Sequence, residues 1–189
     1  MDLLIPYIES TQLAILPDLA HALQVKKLSL MLYDPLSDWF TFYTNERILL
    51  EAAALLHDSG WLIDGHKHHK HSLAYILNLD LPISHRQKII IANIARYHRK
   101  SLPKLSHPHF AELFPFERET VIRLSAILRI ADALDSTHKQ IVNQLILQKE
   151  KNKIQLILDT KGAPYLTEEE KLHKKKELFE STFNDIVLI

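Results

Sequence analysis

The sequence predicts a mainly α protein: a helical bundle followed by a small C-terminal α+β appendage of hairpin, helix and strand. Three observations carry this. Apolar residues recur at helical spacing in one segment after another up to about residue 140. Only three glycines, Gly60, Gly65 and Gly162, punctuate the 189 residues. Past residue 140 the period changes, and QLILQ and IQLILD flank the polar turn KEKNK as a β-hairpin would.

The elements follow in order. From Asp18 to Leu32, His21, Val25, Leu28 and Leu32 fall on one helical face, and Asp34-Pro35 is expected to end the helix. Arg47 to His57 is apolar nearly all round (ILLEAAALLH), as a buried helix is, with a left-handed cap expected at Ser59-Gly60. Residues 61–70 read as a polar loop and His71 to Leu79 as a short helix. Ser84 with Gln87 forms a capping box for a helix through His98, in which Ile91, Ile94 and His98 share a face. Residues 100–115 contain prolines and read as loop. Phe116 to about His138 is a long helix with Val121, Leu124, Leu128 and Asp132 on one face. After the hairpin, Thr167 with Glu170 caps TEEEKLHKKKELFESTF, and DIVLI reads as a strand. The expected division is a helical metal-binding domain over residues 1–140 and a small α+β tail over 141–189, packed on it and carrying no catalytic group.

Composition excludes several classes. Lys+Arg and Asp+Glu are both 23, so the chain as a whole has no pull toward nucleic acid or an anionic membrane. The absence of cysteine rules out disulfides, thiolate metal sites and cysteine nucleophiles. MDLLIPYIES lacks the basic, then apolar, build of a secretory leader, and no run reaches the roughly 20 apolar residues of a membrane helix. A cytoplasmic protein is expected. With so few glycines there is no phosphate-cradling loop ahead of a helix. There are, by contrast, 12 histidines, so the chemistry must come from side chains.

The predicted helices aim ionisable groups inward: His21, His57 with Asp58, His98 and Asp132 all sit on apolar faces. Each alone has an ordinary explanation. His21 fits a satisfied core histidine, Asp132 an ion pair with Arg129 or Arg96, and His98 a cation at a helix C-terminus. Together they are explained most economically by a divalent metal ion, because buried carboxylates need partners and imidazole with carboxylate suits zinc, iron or manganese. His66, His68 and His69 fall in the polar loop and read as solvated. Lys70, Arg96, Arg99 and Lys100 flank the presumed ligands, where they either offset phosphate charge or cap helix ends in solvent.

The motifs HALQV, LLHDSG, HHKHS, ARYHRK and LRIADALD, in this order, resemble the HD-domain metal-dependent phosphohydrolases. Their wording is similar to the C-terminal HD-like domain of the exopolyphosphatase and guanosine pentaphosphate phosphatase family. The resemblance runs from about His21 to His138, and the tail is similar too. It implies an HD helical bundle in which His21, His57, Asp58 and Asp132 hold one ion. By the binuclear relatives, His71 and His98 would hold a second, with His69 competing for the role of His71. The ions implied are one or two of Mn, Fe, Zn or Mg. The N-terminal actin-like unit, in which that family's hydrolysis of polyphosphate mainly resides, has no counterpart in these residues. The resemblance therefore implies the fold, the metal site and phosphorylated ligands, but not exopolyphosphatase activity.

Two functions are compatible with this. In the first, His57 and Asp58 serve a metal-dependent phosphohydrolase of phosphorylated small molecules or nucleotides. His69, Lys70, Arg96, Arg99 and Lys100 would contact substrate phosphate. In the second, the chain is a non-catalytic module that binds nucleotide or polyphosphate, or partners a separate actin-like subunit. The complete ligand set favours the enzyme. The sequence leaves monomer and homodimer both open.

Overall fold

The computed structural model describes residues 1–151 and 153–188. Asn152, in the expected hairpin turn, and Ile189, in the expected last strand, lie outside the described residues. The bundle is built from α1 (Leu4–Thr11), α2 (Leu19–Trp39), α3 (Glu46–Leu56), α4 (His68–Asn78), α5 (His85–Arg96), the single turn α6 (Pro108–Ala111) and α7 (Pro115–Ala133). Leu28, Leu50, Leu55, Ile91, Leu124 and Leu128 are fully buried where α2, α3, α5 and α7 pack together. Truncating any one of them to alanine costs roughly 2–5 kcal/mol.

α2 begins where the sequence places it. The Asp18 carboxylate accepts from the His21 amide at 2.9 Å, satisfying an orphan donor of the first turn. The expected stop at Asp34-Pro35 is corrected: the helix continues through Pro35 to Trp39. Pro35 forfeits one backbone hydrogen bond, but Leu36, one residue on, is fully buried in the core, and that packing holds the last turn. At α5 the capping box of Ser84 and Gln87 is present.

Gly60 is also corrected. It adopts no left-handed conformation and lies in a short 3-10 turn, Ser59–Leu62. Its smallness serves close approach: a Cβ there would sit 2.0 Å from the His68 carbonyl oxygen and 2.5 Å from the Ser72 amide nitrogen. The Gly60 amide donates to Ser72 Oγ at 2.9 Å, and Ser72 Oγ donates to the His57 carbonyl at 2.6 Å. The end of α3 is thus docked directly on the first turns of α4. For the same reason α4 starts at His68 and not at His71. Lys67 takes the left-handed conformation (φ 59°) just before it, and Asp64 accepts from the His66 amide at 2.9 Å.

Beyond α7 come β1 (Gln144–Glu150), β2 (Lys153–Asp159), α8 (Leu166–Lys175), α9 (Glu177–Thr182) and β3 (Asp185–Leu188). β1 and β2 pair antiparallel, with Leu147 opposite Leu156; β2 and β3 pair parallel, with Ile154 opposite Ile186. Parallel neighbours need a crossover connection, and α8 with α9 supplies it while packing on α7. The expected single helix is therefore two, broken at Lys176. It starts at Leu166 without the Thr167 side-chain cap. Val142, Ile154, Leu172 and Phe179 belong to the same apolar core as the bundle.

Candidate metal centre

His57 caps the C-terminal end of α3, and His98 lies just past the end of α5. The last turns of helices leave carbonyls without partners, and each ring turns back to take one. His57 Nδ1 donates to the Ala54 carbonyl at 2.7 Å, and His98 Nδ1 to the Ala95 carbonyl at 2.6 Å. His68, in the first turn of α4, donates from Nδ1 to the Gly65 carbonyl at 3.2 Å. His21, one turn into α2, donates from Nδ1 to Asp135 Oδ2 at 2.8 Å. Each of the four rings therefore carries a proton on Nδ1, given to an oxygen, and aims Nε2 inward.

Those nitrogens meet. His21 Nε2 lies 3.3 Å from His57 Nε2, 3.5 Å from Asp132 Oδ1 and 3.9 Å from Asp58 Oδ2. His57 Nε2 lies 3.8 Å from Asp58 Oδ2 and 4.0 Å from Asp132 Oδ1. Beside this first group is a second. His68 Nε2 is 3.3 Å from His98 Nε2, and the two are 3.2 Å and 3.5 Å from Asp58 Oδ1. Asp58 thus offers one oxygen to each group.

The residues fit a cation. An ion about 2.0–2.2 Å from each nitrogen or oxygen holds its donors roughly 3–4 Å apart, which is the spacing of both groups. Two imidazole lone pairs at 3.3 Å repel unless a positive charge lies between them. Asp58 Oδ1 is buried and accepts no hydrogen bond among the described residues, a costly state for a carboxylate oxygen without a cation. The electrostatics agree. Burial pushes His57 down and His98 down to about 3, so both rings are neutral and free to ligate. At Asp58 burial opposes ionisation, yet the imidazoles of His57 and His68 outweigh it and hold the carboxyl well below the usual range. Asp132 is held low against burial by Lys175 first and then by His21. His21 differs: burial opposes its charge, but Asp132, Asp135 and Asp58 together raise it to about 10, so without an ion its Nε2 carries a proton between the facing rings, which a cation there would displace.

The structure brings together His21, His57, Asp58, His98 and Asp132 of the residues singled out from sequence. It does not bring His71. That ring is partly exposed, with Nε2 4.0 Å from Asp64 Oδ2. The expectation that His68 faces solvent is corrected, because starting α4 three residues earlier turns His68 inward to 5% exposure. His66 is exposed, as expected. His69 is half-buried and kept neutral, lowered to about 4 by burial and by Arg99. Asp132 pairs with neither Arg129 nor Arg96. Its partner is Lys175 of α8, a residue of the tail that was expected to carry no catalytic group. Arg129 binds backbone carbonyls instead, and Arg96 lies 5.5 Å over the Tyr97 ring.

Above the carboxylates opens a cleft of about 420 Å³. Arg99 and Lys100 line it, whereas His69, Lys70 and Arg96 are not among its lining residues. Its remaining cations, Lys171, Lys174 and Lys175, come from α8. Sequence reasoning missed His68, Asp135 and these lysines. The signals were present: Asp135 follows Asp132 by three in sequence, just past the end of α7, and the lysines recur at i, i+3 and i+4.

Fold and site define the class first: a helical domain whose core is organised around two linked clusters of imidazole and carboxylate. The chain belongs to the Ppx/GppA phosphatase domain III family, whose model matches residues 8–180 and so includes every residue of both clusters. The chain is 34% identical over 119 residues to a guanosine-5'-triphosphate,3'-diphosphate pyrophosphatase of Vibrio parahaemolyticus, covering 61% of this chain and 22% of that protein. With proteins of the same name from Aliivibrio fischeri, identity is 34% over 139 residues in strain MJ11, covering 72% of this chain and 26% of that protein. In strain ES114 it is 32% over 160 residues, covering 82% and 30%. The chain thus spans less than a third of the length of these curated relatives. Among the described residues, no helix is long and apolar enough to cross a membrane.

Proposed function

We propose that the chain is an HD-type, metal-dependent phosphohydrolase acting on an ester or anhydride of a phosphorylated small molecule or nucleotide. The observation that carries this is the two pairs of facing Nε2 atoms, at 3.3 Å each, joined through the two oxygens of Asp58. His21, His57, Asp58 and Asp132 would hold one divalent ion, and Asp58, His68 and His98 a second. When bound, such ions supply a water acidic enough to attack phosphorus near neutral pH and polarise the phosphoryl oxygen. The chain's own part is positional and electrostatic. Ala54, Ala95, Gly65 and Asp135 hold the four rings in the ligating tautomer. Arg99 and Lys100 at the cleft offset the charge that accumulates on the phosphoryl oxygens. The phosphorylated-nucleotide part of the reading is supported by the names of the relatives, and the phosphate part by the cations of the cleft.

The test is elemental analysis of protein reconstituted with Mn²⁺, Fe²⁺ or Zn²⁺, followed by phosphate release from a panel of phosphomonoesters, phosphodiesters and nucleotides. One to two bound ions per chain and metal-dependent turnover are expected, both lost in His57→Ala. Stoichiometric metal with no turnover on any substrate would favour the binding-module reading.

A further inference from the structure

The turn after Asp58 leads from the shared carboxylate to His68 of the second cluster, and it carries an aromatic side chain that belongs to neither cluster. Trp61 is 51% exposed and lines the cleft. A single exposed apolar residue is ordinary in itself. Trp61 is set apart by what holds it at both ends. Its amide donates to the Asp58 carbonyl at 3.0 Å. Its ring lies over the His68 ring, with centroids 4.8 Å apart and planes 24° from parallel.

The indole is also braced from the loop. A Cβ on Gly65 would sit 2.2 Å from Cζ3 of Trp61 and 2.6 Å from Cε3, so the bare backbone there rests directly against the benzo ring. The carbonyl of the same glycine accepts the Nδ1 proton of His68 at 3.2 Å. Gly65 thus touches both rings. His68 needs such support more than the other ligand imidazoles do. Their Nδ1 bonds are 2.6, 2.7 and 2.8 Å long, whereas 3.2 Å is the upper end of the N–H···O range. A ring held by one long bond can tilt about it. Two rings lie near-parallel to His68, Trp61 and His98, and His98, at 13°, is itself a candidate ligand. Stacked rings attract beyond the area they bury. The indole face also attracts positive charge, and an imidazole that ligates a divalent ion takes on part of the ion's charge. The stack is therefore stronger with the second site filled than with it empty, and that difference adds to the affinity for the ion.

We infer that Trp61 is a positioning residue for the second ion: its indole, braced by Gly65, holds the His68 ring in the plane from which Nε2 ligates and favours the filled site. The inference rests on the second cation site of the reading above and not on turnover.

The full-length chain is titrated with Zn²⁺ against a chromophoric chelator, and bound metal is counted after desalting, with circular dichroism as the check on folding. Trp61→Ala should weaken the second ion about tenfold, or about 1.4 kcal/mol, and the first by less than about twofold. Trp61→Phe, which keeps an aromatic face, should recover most of the loss. Ile63→Ala, at an exposed apolar residue just after the same turn, should bind both ions as the unmodified chain does. A second readout leaves Trp61 in place. In a Trp39→Phe chain Trp61 is the sole tryptophan, and its emission should change when Zn²⁺ fills the second site. Adding His68→Ala should abolish that change. Equal weakening of both ions in Trp61→Ala, no weakening, a Phe variant no better than the Ala variant, or an emission change that survives His68→Ala would overturn the inference. An unmodified chain that holds a single ion would overturn the two-site reading and the inference with it. Two ions held without phosphate release from any substrate would count against the hydrolase reading alone.

Discussion

Replacing Asp135 by asparagine is expected to weaken metal binding without touching a ligand. Asp135 is fully buried, and its Oδ2 accepts the Nδ1 proton of His21 at 2.8 Å, while its Oδ1 accepts from the Gln140 amide at 2.8 Å. Asparagine keeps one acceptor, which the Gln140 amide claims, and presents an NH₂ group to His21. Two donors then face each other, and the ring relieves the conflict by moving its proton to Nε2. That removes the lone pair aimed at the first cluster. Loss of such a supporting carboxylate costs about 10–100-fold in metal affinity, or roughly 1.4–2.7 kcal/mol. The assay is competition for Zn²⁺ against a chromophoric chelator, with circular dichroism as the check on folding. A folded Asp135→Asn chain with unchanged affinity would refute the tautomer argument, and with it the assignment of His21 as a ligand through Nε2.

Gly60→Ala should destabilise the chain by roughly 1–3 kcal/mol, because the added methyl meets the His68 carbonyl and the Ser72 amide, both backbone atoms that cannot swing aside; urea denaturation measures it. The same variant should lose the second ion before the first, since the contact it breaks places His68, and metal stoichiometry reports that. The metal-free chain should lose stability at both ends of the pH scale. Asp58 and Asp132 titrate below their ordinary value of 3.8 in the folded state, so their contribution is present above that pH and disappears as the pH falls through the folded values. His21 is raised from 6.5 to about 10, so its contribution is complete below about 6.5 and is lost as the pH rises toward 10. Chemical denaturation in EDTA across pH 3–10 should show a stability maximum between, and a His21→Gln chain should show a flatter alkaline limb.

Much of the fold and most of the centre could be read from the chain. Helical stripes containing His21, His98 and Asp132 are legible because a polar residue at an apolar spacing has to be accommodated in the core. What could not be read were features set by tertiary contact. Pro35 looks like a stop until Leu36 is seen to be buried beyond it. Gly60 looks like a left-handed cap, and its true reason, the approach of α4, appears only in three dimensions. That approach decides where α4 begins, and a shift of three residues exchanges which histidine of HHKHS points inward. Lys175 was hidden differently. The residue that neutralises Asp132 comes from a helix 43 positions away in sequence, and no local pattern announces such a pairing.

The central claim is that two linked cation sites share Asp58, the second completed by His68 and His98. The most direct measurement is metal stoichiometry by elemental analysis of His68→Ala and His71→Ala chains, each reconstituted with excess Mn²⁺ and desalted alongside the unmodified protein. The account predicts that His68→Ala retains one ion where the unmodified chain holds two, while His71→Ala retains both. Loss of an ion from His71→Ala with none lost from His68→Ala would contradict it.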